Sequence, residues 1–249
     1  MDGEPVIFPS PGTDPSPFGV RDPIQRIFSK VPETYERINH VLTFGLDTTW
    51  RRRAVGAAIR RDGLIWLDVC TGTGETALML SRKAPSRTCV FAADFTRPML
   101  TAAAGKPGSE RIRFIQTDVR RMPFPDRSFD LITLTFATRN LDRSRGALVR
   151  TFAEFRRILK PDGRFVNLET SQPARSIVRN LFHAYVRLSV QKIGSVLSGS
   201  DAAYAYLART IPRFYNPAEL SNLLLEAGFR TARFRRLFFG AAAVHTAER

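Results

Sequence analysis

From Leu64 onward the hydrophobic pattern turns from helical spacing to short β-rich runs alternating with helical ones, and that alternation constrains the fold more than any other feature. Leu64–Val69, Thr88–Ala93, Ile112–Gln116, Phe129–Phe136 and Arg164–Leu168 are rich in β-branched and aromatic residues and read as strands. Between them Glu75–Lys83, Pro98–Ala104 and Arg145–Leu159 read as helices, the last stopped by Lys160-Pro161-Asp162-Gly163. Such alternation builds a parallel sheet with helices on both faces. After the fifth strand the rhythm breaks: Ser171–Pro212 is long, helical in period and basic. A helix over Ala218–Ala227 and two strands, Ala232–Phe239 and Ala241–Thr246, then close the chain around Gly240. The expected fold is a doubly wound α/β domain with a mostly parallel, seven-stranded sheet, an antiparallel last strand and a helical insertion after strand five.

Ahead of the sheet, Ile24, Ile27, Phe28, Val31, Tyr35, Ile38 and Leu42 recur at three- and four-residue steps, the period of a helix facing a core. Pro32 interrupts the run, which predicts two short helices or a kinked one. A turn at Thr43-Phe44-Gly45 leads to a second helix, opening near Asp47 as N-cap and running through Trp50 to Ile59. Residues 1–22 hold five of the 16 prolines and a net charge of −3, and read as a flexible leader. Residues 23–249 form one domain, in which 171–214 is a helical lid at the acceptor side.

The chain carries 38 Lys and Arg, all but five of them Arg, against 23 Asp and Glu, a formal charge of +15 that rises to +18 without the leader. Such an excess favours a polyanionic partner, either nucleic acid or an anionic membrane surface, unless the arginines are a compositional bias spread over solvated faces. The longest stretch without a charge, Leu237–Ala247, is 11 residues, against roughly 20 apolar residues needed to span a bilayer. Asp2 and Glu4 stand where a signal peptide needs positive charge, so the expectation is a cytosolic protein, with membrane association left open. Cys70 and Cys89 are too few for a disulfide framework or a metal site, and are expected as reduced, buried thiols with no metal.

Doubly wound sheets bind ligands at the carboxyl ends of their strands. The first of these strands ends in Asp68-Val69-Cys70-Thr71-Gly72-Thr73-Gly74-Glu75, where Gly72 and Gly74 let the backbone turn sharply and approach a ligand. Asp94 ends the next strand 20 residues after Gly74, where a carboxylate can take both hydroxyls of a ribose. Gly72-Thr73-Gly74-Glu75-Thr76-Ala77 also fits the nicotinamide fingerprint G-x-G-x-x-A. Against that reading, Asp68 lies just before the turn, where it would repel a pyrophosphate and attract a sulfonium or amino group. Thr117-Asp118 ends the third strand, where the carboxylate can accept from an adenine amino group.

With Met122-Pro123-Phe124-Pro125-Asp126 following, the chain resembles the class I S-adenosylmethionine-dependent methyltransferases, whose fold is Rossmann-like. Tyr35-Glu36-Arg37-Ile38-Asn39 with Leu42-Thr43-Phe44-Gly45-Leu46, Phe136-Ala137-Thr138-Arg139-Asn140, Glu169-Thr170-Ser171-Gln172-Pro173, the Tyr204–Ile211 segment and Gly240–His245 narrow the resemblance. They are similar, in order, to motifs of the menaquinone and ubiquinone biosynthesis C-methyltransferases, over roughly Pro23–Thr246. The resemblance implies methyl transfer from S-adenosylmethionine to a ring carbon of a polyprenylated quinol. It implies cofactor contacts at Thr73, Asp94, Thr117, Asp118 and Thr135, to which the loop adds Asp68, Gly72 and Gly74. Ala137-Thr138 replace Gly-Leu, and Gln191 and Tyr215 are further departures where the acceptor would bind.

A ring carbon attacks a methyl group well only after a quinol hydroxyl loses its proton, so the site must stabilise a phenolate and later accept the ring proton. Arg139 is expected to stabilise the phenolate and Asn140 to orient the ring oxygen, with Arg139 otherwise pairing a carboxylate such as Glu169. Tyr35 and Asn39, one helical turn apart, and His183 are the acceptor-side candidates. Val178, Leu181, Phe182, Tyr185 and Leu188 follow one helical face with Arg175, Arg179, Arg187 and Lys192 around it, which suits either a lid or a helix lying on a membrane. The expected acceptor is demethylmenaquinol, met at an anionic membrane. A methoxy-benzoquinol, another lipid, a nucleic-acid-binding role and a non-catalytic membrane-side subunit are the alternatives. Nucleic acid is not the expected partner, and a homodimer is left open.

Overall fold

The computed structural model describes residues 7–9, 32–59, 63–190 and 201–249, and side chains for these except 7–9, 32–35 and 201–204. In chain order its elements are β1 (Ile7–Pro9), α1 (Pro32–Leu42), α2 (Leu46–Ala58), β2 (Ile65–Val69), α3 (Glu75–Lys83), β3 (Cys89–Asp94), α4 (Arg97–Ala104) and β4 (Ile112–Gln116). There follow β5 (Phe129–Thr135), α5 (Thr138–Leu141), α6 (Arg145–Ile158), β6 (Leu159–Thr170), α7 (Ser176–Tyr185), α8 (Asp201–Thr210), α9 (Pro217–Glu226), β7 (Thr231–Leu237) and β8 (Ala242–Glu248). A π-helical turn, Val186–Val190, continues α7, and 3-10 turns follow α8 and β7.

The sheet order is β1-β4-β3-β2-β5-β6-β8-β7, parallel throughout except for β8, which runs antiparallel to both neighbours. The order reverses between β2 and β5, and at such a reversal the loops leaving the two strands part and open a crevice. The central strands are apolar on both faces because helices cover both. On one face Phe152 and Phe155 of α6 meet Phe165 at ring-centroid distances of 5.8 and 5.4 Å, and Phe165 stacks on Phe229 at 5.8 Å. On the other, Trp66, Leu80 and Leu100 are buried with Val55 and Ala58 of α2. A third cluster joins Ile38 and Leu42 of α1 to Val186, Val190, Leu207 and Ile211, so the insertion docks on the N-terminal helices.

The sheet has eight strands rather than seven. The extra one comes from the segment read as a leader: Ile7–Pro9 pairs in parallel with Phe114–Gln116. Its backbone covers what would otherwise be an open strand edge, and an edge position tolerates Pro9, which has no N–H to donate. Lys160-Pro161-Asp162-Gly163 is not a break between helix and strand but a bulge within β6, which already pairs at Leu159 with Phe129. Asp162 supplies the left-handed kink at φ 62°. The closing strands turn through Phe238–Gly240, with both phenylalanines at positive φ. Asp47 is not an N-cap: α2 starts after Gly45, whose φ is 75°, and Asp47 lies in the first turn. Any helix before Pro32, and Gln191 and Lys192, lie outside the described residues. Both cysteines are free and half-buried, rather than buried. No helix among the described residues is long and apolar enough to cross a membrane.

Phe165 is wholly buried between three other rings, so Phe165→Ala should cost about 3–5 kcal/mol in urea unfolding.

Candidate active site

The loop between β2 and α3 is held in an unusual path. Cys70, Gly72 and Gly74 have φ of 50°, 56° and 84°. At Gly74 a Cβ would come within 2.9 Å of the Ala103 Cβ, so glycine there lets α3 and α4 close up. Two buried carboxylates brace this path. Asp68 accepts hydrogen bonds from the hydroxyls of Thr71 and Thr133, both at 2.6 Å, tying the loop to β5. Burial pushes its pKa up to about 6, against the lowering effect of those two hydroxyls. Asp94 accepts from the Gly72 N–H and the Thr96 N–H, each at 2.9 Å, tying the loop to β3. Burial raises its carboxyl too, while those backbone donors oppose the rise.

Beside the loop lies the more polar of two cavities, lined by Asn39, Gly72, Thr73, Asp94, Thr117, Asp118, Thr135 and Asn140, so eight of the sequence-derived site residues converge on it. Asp118 is held by Arg120, which donates to both carboxylate oxygens. The Thr135 hydroxyl lies 2.8 Å from that of Thr76 at the start of α3. Lys106 closes the outer wall by bridging Glu36 of α1 and Glu75 of α3. Asp68 and Gly74 do not reach the cavity; they shape the loop from behind it.

A second cavity, of about 330 Å³ and mostly apolar, adjoins the first. Leu42, Trp50, Val178, Phe182, Tyr185, Leu207 and Phe239 are among its walls, drawn from α1, α2, the insertion and the β7–β8 turn. Four residues line both cavities: Asn39, Asp47, Arg51 and Phe136. Arg51 donates to the Asp47 carboxylate at 3.1 Å and lies over the Phe136 ring, 4.9 Å from its centroid. Asp47, Arg51 and Phe136 are not among the site candidates drawn from the sequence; Asp47 reads as a helix cap and Phe136 as the first residue of a motif, while the four-residue spacing of Asp47 and Arg51 sets acid and base on one helix face.

The short helix α5 divides its residues between the two cavities, with Arg139 lining the apolar one and Asn140 the polar one. Arg139 is buried and pairs with Glu169 at 2.8 Å, the ion pair that the sequence left as the alternative to a phenolate contact. It also donates to the Thr170 hydroxyl, and its Nε is buried without a partner. The Asn140 Oδ1 is buried and unpartnered as well. Thr138, which replaces a family leucine, is satisfied by donating to Asn167 at 2.8 Å. His183 stands apart from the cavity lining: its Nε2 lies 2.7 Å from Gln172 Oε1, at the base of the insertion. Tyr35 is one turn before Asn39 on α1, and its side chain lies outside the described residues. His245, the last residue of the Gly240–His245 motif, is buried against the Pro217 carbonyl at 3.0 Å, and burial lowers its pKa to about 4.

The family model described as the ubiE/COQ5 methyltransferase family matches residues 19–249. A demethylmenaquinone methyltransferase of Thermus thermophilus is 37% identical over 90% of this chain and 100% of its own length. A ubiquinone/menaquinone biosynthesis C-methyltransferase UbiE of Geobacter sulfurreducens is 35% identical over 91% of this chain and 88% of its own. Among solved structures, a SAM-dependent methyltransferase of Thermotoga maritima, titled a possible histamine N-methyltransferase, shares the fold with a TM-score of 0.61 at 18% identity, covering 90% of this chain and 98% of that one.

The raised Asp68 carboxyl gives a ligand-independent test. The folded state takes up its proton near pH 6, whereas the unfolded chain does so near 3.8. As pH falls from 6 to 4 the protein should therefore gain stability relative to Asp68→Asn, by roughly 2 kcal/mol, in denaturant titrations of both across that range.

Proposed function

Since the chain belongs to the ubiE/COQ5 methyltransferase family, we propose that it moves a methyl group from S-adenosylmethionine to a ring carbon of a polyprenylated naphthoquinol, converting demethylmenaquinol to menaquinol. The observation that carries this reading is the pair of adjoining cavities with a common wall, one bearing carboxylates and hydroxyls and the other almost wholly apolar. A charged, nucleoside-bearing donor suits the first and a hydrophobic ring with its chain suits the second.

The polar cavity fits the donor. Asp94 can take the ribose hydroxyls, Asp118 and Thr117 the adenine side, and the open backbone at Gly72 and Thr73 admits the rest. A Cβ built at Gly72 meets no atom within 4 Å, so there is room beside the backbone. The unpartnered Asn140 Oδ1 is an acceptor awaiting a donor group. When bound, S-adenosylmethionine supplies a methyl carbon made electrophilic by a positively charged sulfur.

On the acceptor side the apolar walls exclude water and hold the ring against the Asn39, Asp47, Arg51 and Phe136 partition. Arg139 stabilises negative charge on the quinol oxygen as its proton leaves, which raises electron density on the neighbouring ring carbon. Glu169 fixes the guanidinium, and the free Arg139 Nε–H remains for the oxygen. Only the reduced quinol has a proton to lose, so the quinone is not a substrate.

The same reading accounts for the apolar rim. Ile177, Leu181, Ala184 and Leu188 form an outward stripe, three- and four-residue steps apart, on α7 and its π turn, next to the inward face of Val178, Phe182 and Tyr185. Phe44 and Phe239, each 79% exposed, stand at the same mouth, with Arg175 and Arg187 also exposed. In this proposal the rim rests on the cytoplasmic face of an anionic membrane, where a prenylated quinol dissolves.

Enzyme with labelled S-adenosylmethionine should transfer label to demethylmenaquinol and to no RNA or DNA offered in parallel; label only in nucleic acid would sink the reading. Asp94→Ala should weaken S-adenosylmethionine binding about 10- to 100-fold in calorimetry, some 1.5–3 kcal/mol for lost charge-assisted hydrogen bonds. Phe44→Ser/Leu181→Ser/Phe239→Ser should lose flotation with phosphatidylglycerol vesicles while keeping that binding intact.

A further inference from the structure

Methylating a ring carbon leaves a proton to dispose of. The ring carbon gains a bond to the methyl, the methyl–sulfur bond yields its electron pair to sulfur, and the sulfonium charge is cancelled. The ring must then shed the hydrogen on that carbon as a proton, so each turnover releases one proton inside an enclosed site. Resting on the quinol reading above, we propose that Asp47 takes up this proton and that His40 passes it to solvent.

Asp47 is the one carboxylate that lines both cavities, and it is buried at their common wall, where the methyl crosses. Its Oδ2 is held by Arg51 at 3.1 Å, and its Oδ1 lies 2.9 Å from His40 Nδ1 and 3.1 Å from the Thr43 hydroxyl. The His40 side chain is 56% exposed and touches neither cavity, so the pair spans from the reaction site to water in a single hydrogen bond. With Nδ1 receiving from the carboxyl and Nε2 releasing outward, the imidazole works as a two-ended relay. The turn is shaped for it: a Cβ on Gly45 would sit 3.2 Å from His40 Cε1 and 3.3 Å from Nε2, so glycine leaves the ring its seat.

The other carboxylates that line the donor cavity, Glu36, Glu75, Asp94 and Asp118, do not line the acceptor cavity, and Glu36, Glu75 and Asp118 are engaged by Lys106 and Arg120. Glu169 lines neither cavity; its Oε1 is taken by Arg139, the Thr170 N–H and the Thr170 hydroxyl, and it is 1% exposed.

Asp47→Asn and His40→Ala are the test, with the full chain, demethylmenaquinol and S-adenosylmethionine. Asp47→Asn should lower kcat about 100-fold or more at saturating S-adenosylmethionine and give a kinetic isotope effect with ring-deuterated quinol that the parent enzyme lacks. His40→Ala, a change at the surface, should slow turnover several-fold, and added imidazole should restore it. Asp47→Asn turnover within about twofold of the parent, no new isotope effect, or a His40→Ala defect that imidazole leaves unaltered overturns the proton path. Failure of the parent enzyme to methylate the quinol at all overturns the functional reading instead, and this proposal with it.

Discussion

Two carboxylates taken out of water at the ends of adjacent strands set the shape of everything around the site. A buried carboxylate is tolerable only if its oxygens are met by donors, and here each carboxylate takes one donor from the loop and one from outside it. Asp68 draws in Thr71 and Thr133, and Asp94 draws in the Gly72 and Thr96 N–H groups. The β2–α3 loop is thereby pinned to β5 on one side and β3 on the other. Along that pinned path Cys70, Gly72 and Gly74 all take positive φ. The donor-side cavity is the space left beside a loop so constrained.

The acceptor side is built on different physics. No strand reaches its outer wall; α1, α2 and the insertion enclose it through packing of Ile38, Leu42, Val186 and Leu207. One hydrogen bond, from the Tyr185 hydroxyl to the Leu42 carbonyl at 2.7 Å, ties the two helical layers together. The polar half is thus preorganised by the sheet, whereas the apolar half depends on helices whose contacts are largely non-directional. Such a pocket adapts to a ring with a long chain more readily than to a polar ligand that demands fixed partners. The +15 charge, ambiguous as composition, has one place where it complements this arrangement: the arginines flanking α7 beside the apolar rim.

The sheet was legible because parallel strands buried on both faces are nearly continuous apolar runs, as in Phe129–Thr135. The donor loop was legible because glycine at Gly72 and Gly74 and a carboxylate ending the next strand are local marks of a backbone approaching a ligand. Ile7–Pro9 was not, since three residues carry no period and pairing at an edge needs only backbone. Asp47 read as a helix cap because capping is the commonest local use of such a residue, while its contact with both cavities exists only once α2 has packed beneath Phe136. His183 was offered by resemblance, and it is the unforeseen Gln172 contact that turns it away from the cavity. Arg139 and Asn140 were placed correctly as neighbours, yet nothing in a linear pattern says that successive residues of a one-turn helix face different compartments.

Phe44, Phe238 and Phe239 combine two liabilities, bulky side chains largely in water and backbones at φ of 51°, 42° and 52°. Left-handed geometry costs a residue with a Cβ roughly 1–2 kcal/mol, and glycine at any of the three would escape it. Directed evolution for heat resistance in detergent-free buffer would therefore reward their loss, for relieved backbone and for less exposed hydrocarbon. If that rim seats the protein on a bilayer as proposed, thermostable descendants obtained that way would be purified with ease and stranded from a lipid-borne substrate, and selection would then belong in the presence of bilayers.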